Sequence, residues 1–172
     1  MQIIEANNIF NAEEMHFGLM VYGFYCYHDK ILESIVPKNI KWKHEPNEIG
    51  PYGVANCFPA TEILKTQLEK YKIIYPNLKF IYSNAYYNID TGVNVWHTDK
   101  RENITLQVMC YQSDFDIEDG GSLQIKCYDG IERHYYPKNG DVVIMNHVKE
   151  TEHKIDKILT DKKRIVINMV MR

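Results

Sequence analysis

Residues 93–103 read VNVWHTDKREN: a strand-like apolar run, then His97-Thr98-Asp99, then a polar turn. On a strand, residues i and i+2 share a face, so His97 and Asp99 can both aim inward while Thr98 points away. An imidazole beside a carboxylate suits a metal ion. In a chain with seven histidines, however, the triplet alone is a weak motif. Its meaning depends on what the flanking segments supply.

Those segments are strand-like. From residue 78 onward the chain runs LKFIYSNAYYNI, GVNVWHTD, ITLQVMCYQ, GSLQIKCYD, IERHYYP, GDVVIMN, EHKIDKI and RIVINMVM, each short, rich in β-branched and aromatic residues, and bounded by turn residues. Many short strands at such intervals predict a sandwich or barrel. The first third reads differently. NAEEMHFGLMVYGFYCY (11–27) offers Asn11 as a helix cap with Glu14 three residues on, followed by an apolar stretch long enough for a buried helix. VPKNIKWKHEPNEIGPYG (36–53), rich in proline and glycine, reads as strand and loop. PATEILKTQLEKYKIIYP (59–76) has Ile63, Leu64, Leu68, Tyr71 and Ile74 at helical spacing, with Pro76 as its stop. The expected fold class is α+β, with helices packed against one β-core.

Length and composition narrow the function classes. A chain of 172 residues is most simply one domain, 1–172, with residues 1–80 as helical or irregular support and 81–172 forming most of the β-core. No apolar run is long enough to cross a bilayer, and MQIIEANNIF lacks the basic and apolar regions of a signal peptide. Cys26, Cys57, Cys110 and Cys127 are widely spaced, as expected of reduced thiols in a cytoplasm. The net charge of −3 and the absence of a Lys/Arg block indicate no nucleic-acid surface; Lys38, Lys41 and Lys43 form a small solvated cluster. The bias toward Ile, Lys, Asn and Tyr, with four arginines, is that of an AT-rich genome. Bacteriophages often show it, in which case the compartment is the host cytoplasm.

A third ligand would complete a triad of two histidines and a carboxylate, which fits non-haem Fe(II) and leaves coordination positions open. Downstream candidates are His134, His147 and His153. His153 lies in TEHKIDKI, where Ile155 and Ile158 imply a strand, and eleven residues later Arg164 opens RIVINMVM. The intervening LTDKK reads as a hairpin turn that would lay Arg164 along the neighbouring strand. An arginine opening an apolar strand needs a partner if buried, and an acidic ligand matches a guanidinium in bidentate fashion.

His97-x-Asp99, then His153, then Arg164, resembles the iron(II)/2-oxoglutarate-dependent dioxygenases, over Tyr82 to Met171. The similarity is greatest to the prolyl-hydroxylase branch. There a tyrosine precedes the His-x-Asp by ten residues, followed by a glycine-containing turn, as Tyr87 and Gly92 do in YYNIDTGVNVWHTD. YQSDFDIEDGGSLQI places Tyr111 where a tyrosine often contacts the cosubstrate's distal carboxylate, and PKNGDVVIMN carries the family's P-x-x-G-D turn. Gln112 and Val166 depart from the pattern, where an apolar residue and a Ser or Thr are usual.

The resemblance implies a double-stranded β-helix, or jelly-roll, with Fe(II) held by His97, Asp99 and His153. It implies 2-oxoglutarate held at its 5-carboxylate by Arg164 with Tyr111, O2 as cosubstrate and ascorbate as reductant. Tyr87 and Asn168 are secondary cosubstrate contacts. The implied reaction is hydroxylation of a C–H bond with release of succinate and CO2. A prolyl residue in a peptide or protein is the first expectation for the substrate, and a free amino acid or small metabolite the next. KHEPNEIGPYG and DKRENIT are candidate rim loops. A cupin-like binding module or a zinc hydrolase would use the same triad without 2-oxoglutarate, and Arg164 is the residue that separates these readings.

Overall fold

The computed structural model describes residues 2–44, 53–55, 58–88, 95–99 and 104–172. Two sheets carry the chain. The larger contains β2 (Phe24–His28), β3 (Lys43–His44), β4 (Gly53–Ala55), β5 (Phe80–Asn88), β6 (Leu106–Tyr111), β9 (Asp141–Asn146) and β11 (Arg164–Met171), in the order β2-β9-β6-β11-β5-β4-β3. The smaller contains β1 (Gln2–Ile4), β7 (Leu123–Lys126), β8 (Glu132–Tyr135) and β10 (His153–Ile155), in the order β1-β8-β7-β10. Neighbouring strands are antiparallel except β1 and β8. Among the described residues, no helix is long and apolar enough to cross a membrane.

Strand alternation gives the large sheet two working faces. One carries Cys110, Val108, Ile144, Ile167 and Met169 and packs on the helices α1 (Ala12–Val21) and α2 (Phe58–Tyr71) through Met15, Leu19, Leu64 and Tyr71. The other carries Met109, Tyr111, Val143, Met145 and Val166 and packs on Leu123, Ile125 and Tyr135 of the small sheet. Each fully buried side chain of the Leu or Met class contributes roughly 1.5–3 kcal/mol. The apolar run RIVINMVM is thus explained: β11 lies between β5 and β6 with cores on both sides.

Three expectations about the framework change. The segment 11–27 is not one helix. Asn11 does cap α1, its side chain accepting from the N–H groups of Glu13 and Glu14 at 2.9 and 3.1 Å. The helix then stops at Gly23, whose φ of +88° favours glycine, and the aromatic FYCYH continues as β2, in keeping with the strand preference of Phe and Tyr. Residues 1–80 are likewise more than support, because β1 to β4 extend both sheets. Finally, LTDKK is not a hairpin turn. β10 pairs with β7 in the small sheet and β11 with β5 and β6 in the large one, so residues 156–163 cross between sheets. Hydrogen bonds from Gly121 N to Lys157 O and from Leu159 N to Asp119 O, with the Lys162–Asp119 ion pair at 2.6 Å, fasten that crossing to the 117–121 turn.

Candidate metal centre

A single pair of backbone bonds brings the two histidines together. His97 and His153 form an isolated antiparallel bridge, N–H to C=O in both directions at 3.0 and 2.9 Å, and their ring centroids lie 4.4 Å apart. Each ring is then turned by the same local device. Nδ1 of His97 meets the carbonyl of Val95 at 2.7 Å, and Nδ1 of His153 meets that of Thr151 at 3.1 Å. A carbonyl only accepts, so both Nδ1 atoms carry the proton and both Nε2 lone pairs face the common centre.

Asp99 completes the group. Its Oδ1 is 3.7 Å from His97 Nε2 and its Oδ2 3.7 Å from His153 Nε2. These distances are too long for hydrogen bonds. They approach the spacing of roughly 3–4 Å expected between donors that each sit about 2.1 Å from one ion. The ligand atoms of all three residues lie within 4.8 Å of one another. Burial pushes the pKa of His153 down, against an upward pull from Asp99, favouring the neutral imidazole that a metal requires. Two imidazoles and one carboxylate with open positions are the donor set of non-haem Fe(II). The residues therefore fit such an ion.

Arg164 lies on the same face of β11 as Val166, Asn168 and Val170. Its side chain is buried, the residue being 1% exposed. Nη2 donates to the hydroxyl of Tyr111 at 2.8 Å, Nε donates to the carbonyl of Gly121 at 3.1 Å, and among the described residues no carboxylate pairs with it. A buried guanidinium with only neutral partners is costly unless an anion joins it. Burial raises the pKa of Tyr111, outweighing the lowering effect of Arg164, so its hydroxyl stays protonated. Among the described residues that hydroxyl donates to the Met109 sulfur, at 3.8 Å, a weak acceptor readily replaced by a carboxylate. Gly121 has φ +65°, and a Cβ there would sit 2.9 Å from the Phe115 ring, so the turn beneath Arg164 suits glycine.

The expected site residues divide. His97, Asp99 and His153 converge, and Arg164 meets Tyr111. Asn168 lines a narrow cleft with Asp99, Ile104, Gln107, His147 and Val170, and its buried Oδ1 has no hydrogen-bond partner. Tyr87 is a correction. It pairs with Ile165, whereas Arg164 pairs with Asn88, so alternation turns Tyr87 to the opposite face. There its hydroxyl meets His44 Nδ1 at 2.9 Å and its ring meets Trp42. The inward tyrosine of that doublet is Tyr86, opposite Val166. His134 bonds Glu132 instead of joining the triad. Gly92 and the greater part of both rim loops, 45–52 and 100–103, lie outside the described residues.

Gln107 was not anticipated. Its Nε2 donates to Asp99 Oδ2 at 2.9 Å, and its Oε1 meets His147 Nε2 at 2.6 Å. The available signal was a glutamine inside the apolar strand ITLQVMCYQ, a polar residue that burial obliges to find partners.

No family model and no curated protein matches the sequence, but solved structures match the fold. A 2OG-Fe(II) oxygenase family oxidoreductase from Burkholderia pseudomallei superposes with TM-score 0.67 at 10% identity, covering 99% of this chain and 93% of that one. A prolyl hydroxylase from Trichoplax adhaerens, in complex with a hypoxia inducible factor oxygen degradation domain peptide fragment, gives 0.73 at 12% identity, covering 93% and 88%. HygX from Streptomyces hygroscopicus, with nickel, 2-oxoglutarate and hygromycin B bound, gives 0.63 at 10% identity, covering 94% and 87%. With its two sheets, its flanking helices and a His-Asp-His group at their junction, the chain has the jelly-roll fold of the 2OG-Fe(II) oxygenases.

Proposed function

We propose that the chain acts as one Fe(II)- and 2-oxoglutarate-dependent oxygenase unit that hydroxylates a substrate C–H bond, with a prolyl residue in a peptide or protein as the first substrate class. The single observation that carries this reading is Arg164, a buried guanidinium held by a hydroxyl and a carbonyl and, among the described residues, by no carboxylate. A hydrolase built on the same triad has no use for such a clamp.

His97, Asp99 and His153 would hold the iron through two Nε2 atoms and a carboxylate oxygen. When bound, that ion supplies the oxygen-activating redox chemistry by which substrate, O2 and 2-oxoglutarate become hydroxylated product, succinate and CO2. The remaining work belongs to the chain. Arg164 and the Tyr111 hydroxyl bind the distal carboxylate, two charge-assisted contacts in a pocket where neither donor is solvated. Asn168 offers an unpartnered carbonyl oxygen to a donor entering beside Asp99. The apolar wall of Met109, Val166 and Met145 excludes water from the space between the sheets.

Support for a peptidyl substrate comes from the likeness to a prolyl hydroxylase seen with a peptide. A free amino acid or small metabolite is the second reading, favoured by the comparable likeness to a structure holding hygromycin B. Anaerobic addition of Fe(II) and 2-oxoglutarate should produce a weak visible charge-transfer band, and aerobic turnover should yield succinate, with ascorbate sustaining repeated turnover. Mass spectrometry of a proline-containing peptide pool should then find one added oxygen on proline. A missing band together with absent succinate would sink the oxygenase reading. Succinate formed only with small molecules would select the second substrate class.

A further inference from the structure

The cleft beside the triad contains a hydrogen-bonded chain that the proposed reaction has not yet used. Gln107 is 4% exposed, sits on β6 opposite Val170, and spends both ends of its amide: Nε2 on Asp99 Oδ2 at 2.9 Å and Oε1 on His147 Nε2 at 2.6 Å. The direction of the amide follows from the partners. An ionised carboxylate only accepts, so the NH2 end must face Asp99, and the oxygen left over requires a donor. His147 supplies it from Nε2. If His147 could not donate, Oε1 would lose its donor and the amide would be held by Asp99 alone, free to pivot about that one contact.

The consequence falls on Asp99, whose side chain is 33% exposed and whose segment, among the described residues, is tied to the sheets by the His97–His153 bridge. A carboxylate can take a metal through one oxygen or through both. With Oδ2 tied to Gln107, the lone pairs of that oxygen are partly used, while among the described residues no hydrogen bond engages Oδ1 on the side of His97 Nε2. We infer that Gln107, oriented by His147, is a positioning residue that keeps Asp99 a one-oxygen ligand and so preserves an open coordination position. The inference rests on the triad being a metal site, as proposed above. It requires a residue outside the triad, His147, to influence the metal through a side chain that is itself not a ligand.

Co(II) binding is the test, because its visible spectrum reports coordination number and its affinity is measurable without turnover. Gln107→Leu should weaken Co(II) binding by roughly 10–100-fold, the range typical of lost outer partners, and alter the spectrum as the second oxygen of Asp99 coordinates. His147→Phe should move affinity and spectrum in the same direction by a smaller factor. His147→Gln, whose amide N–H can donate in place of the imidazole, should restore both. The double variant Gln107→Leu/His147→Phe should match Gln107→Leu alone, since the two side chains act in series. His147 is only half-buried, so its variants keep the test decisive even where Gln107→Leu fails to fold. Wild-type spectrum and affinity in His147→Phe, equal losses in His147→Phe and His147→Gln, or additive losses in the double variant would overturn the inference while leaving the metal site intact. A wild-type chain that binds no Co(II) would overturn both.

Discussion

The two ends of the candidate site are built in opposite ways. At the metal end, among the described residues, one backbone bridge joins the two histidines, and the aspartate side chain is 33% exposed. The Arg164 end is part of the folding core. Arg164 is 1% exposed and Tyr111 fully buried, each on a strand with neighbours on both sides. The difference follows from where the binding energy originates. A divalent ion organises its own ligands, so a loosely framed set of donors suffices as long as the lone pairs converge. An organic anion offers weaker contacts and can be gripped only by donors already oriented and desolvated. The charge at Arg164 must therefore be buried before its ligand arrives, at a standing cost to stability.

The largest expected effect tests the metal end. His97→Ala or Asp99→Ala should abolish detectable Fe(II) binding, a loss beyond the roughly 10–100-fold of outer partners. The melting temperature of the metal-free chain should change little, because neither side chain belongs to a core. A variant that unfolded without metal yet bound Fe(II) with wild-type affinity would remove the contrast between the two ends. His153→Ala should also eliminate iron binding but lower the metal-free melting temperature, since His153 is buried on β10 of the small sheet.

Arg164→Met should keep iron binding and lose 2-oxoglutarate affinity by roughly 2–5 kcal/mol, the cost of removing one member of a buried charge pair. Its ligand-free stability should be equal to or above that of the wild type, because an apolar side chain of similar volume removes a desolvated charge. Calorimetry with and without 2-oxoglutarate separates the two effects. Marked destabilisation of ligand-free Arg164→Met would show that Gly121 and Tyr111 already satisfy the guanidinium, and that no anion is needed to explain it. Tyr111→Phe should act in the same direction by about 0.5–1.5 kcal/mol, one hydrogen bond's worth.

How far this was legible beforehand depended on the same contrast. RIVINMVM announces a buried strand opened by a charge, and the triad's spacing announces its chemistry, because both are carried by residue type at fixed separation. Which sheet a strand joins is not. The crossing from β10 to β11 looks like a hairpin in sequence because Thr-Asp-Lys-Lys suits a turn, and only the long-range pairings with β7, β5 and β6 send it between layers. Tyr86 and Tyr87 show the limit most plainly. Adjacent identical residues on a strand differ only in face, and face is set by register, which a one-residue slip inverts. Gln107 and His147 stand 40 positions apart and meet through the pairing of β6 with β9, which no local pattern encodes.

The smallest effect concerns a network that reaches the Arg164 end only through the Tyr135 ring, edge-on to that of Tyr111 at 6.3 Å, and so measures the frame around it. At the join of β2 and β9, Asp141 accepts from the Tyr135 hydroxyl at 2.5 Å, from Lys138 N at 2.8 Å and from His28 Nδ1 at 2.9 Å, while His28 Nε2 reaches Glu33 at 3.2 Å. With a carboxylate at each ring nitrogen, His28 is best served by the doubly protonated form. The hydrogen bond to Asp141 is the main cause raising its pKa above the ordinary 6.5, opposed by partial burial. The sign follows. The folded chain holds this proton more tightly than the unfolded one, so the contribution to stability is complete below about pH 6.5 and fades as the pH rises through the folded value. His28 is 34% exposed, so solvent screening keeps the effect to a small shift in melting temperature. His28→Gln should flatten that dependence on the alkaline side of pH 6.5 without altering 2-oxoglutarate affinity. A variant that flattened the profile and also weakened the cosubstrate would show that the Arg164 end is not a self-contained clamp but draws on the far edge of its sheet.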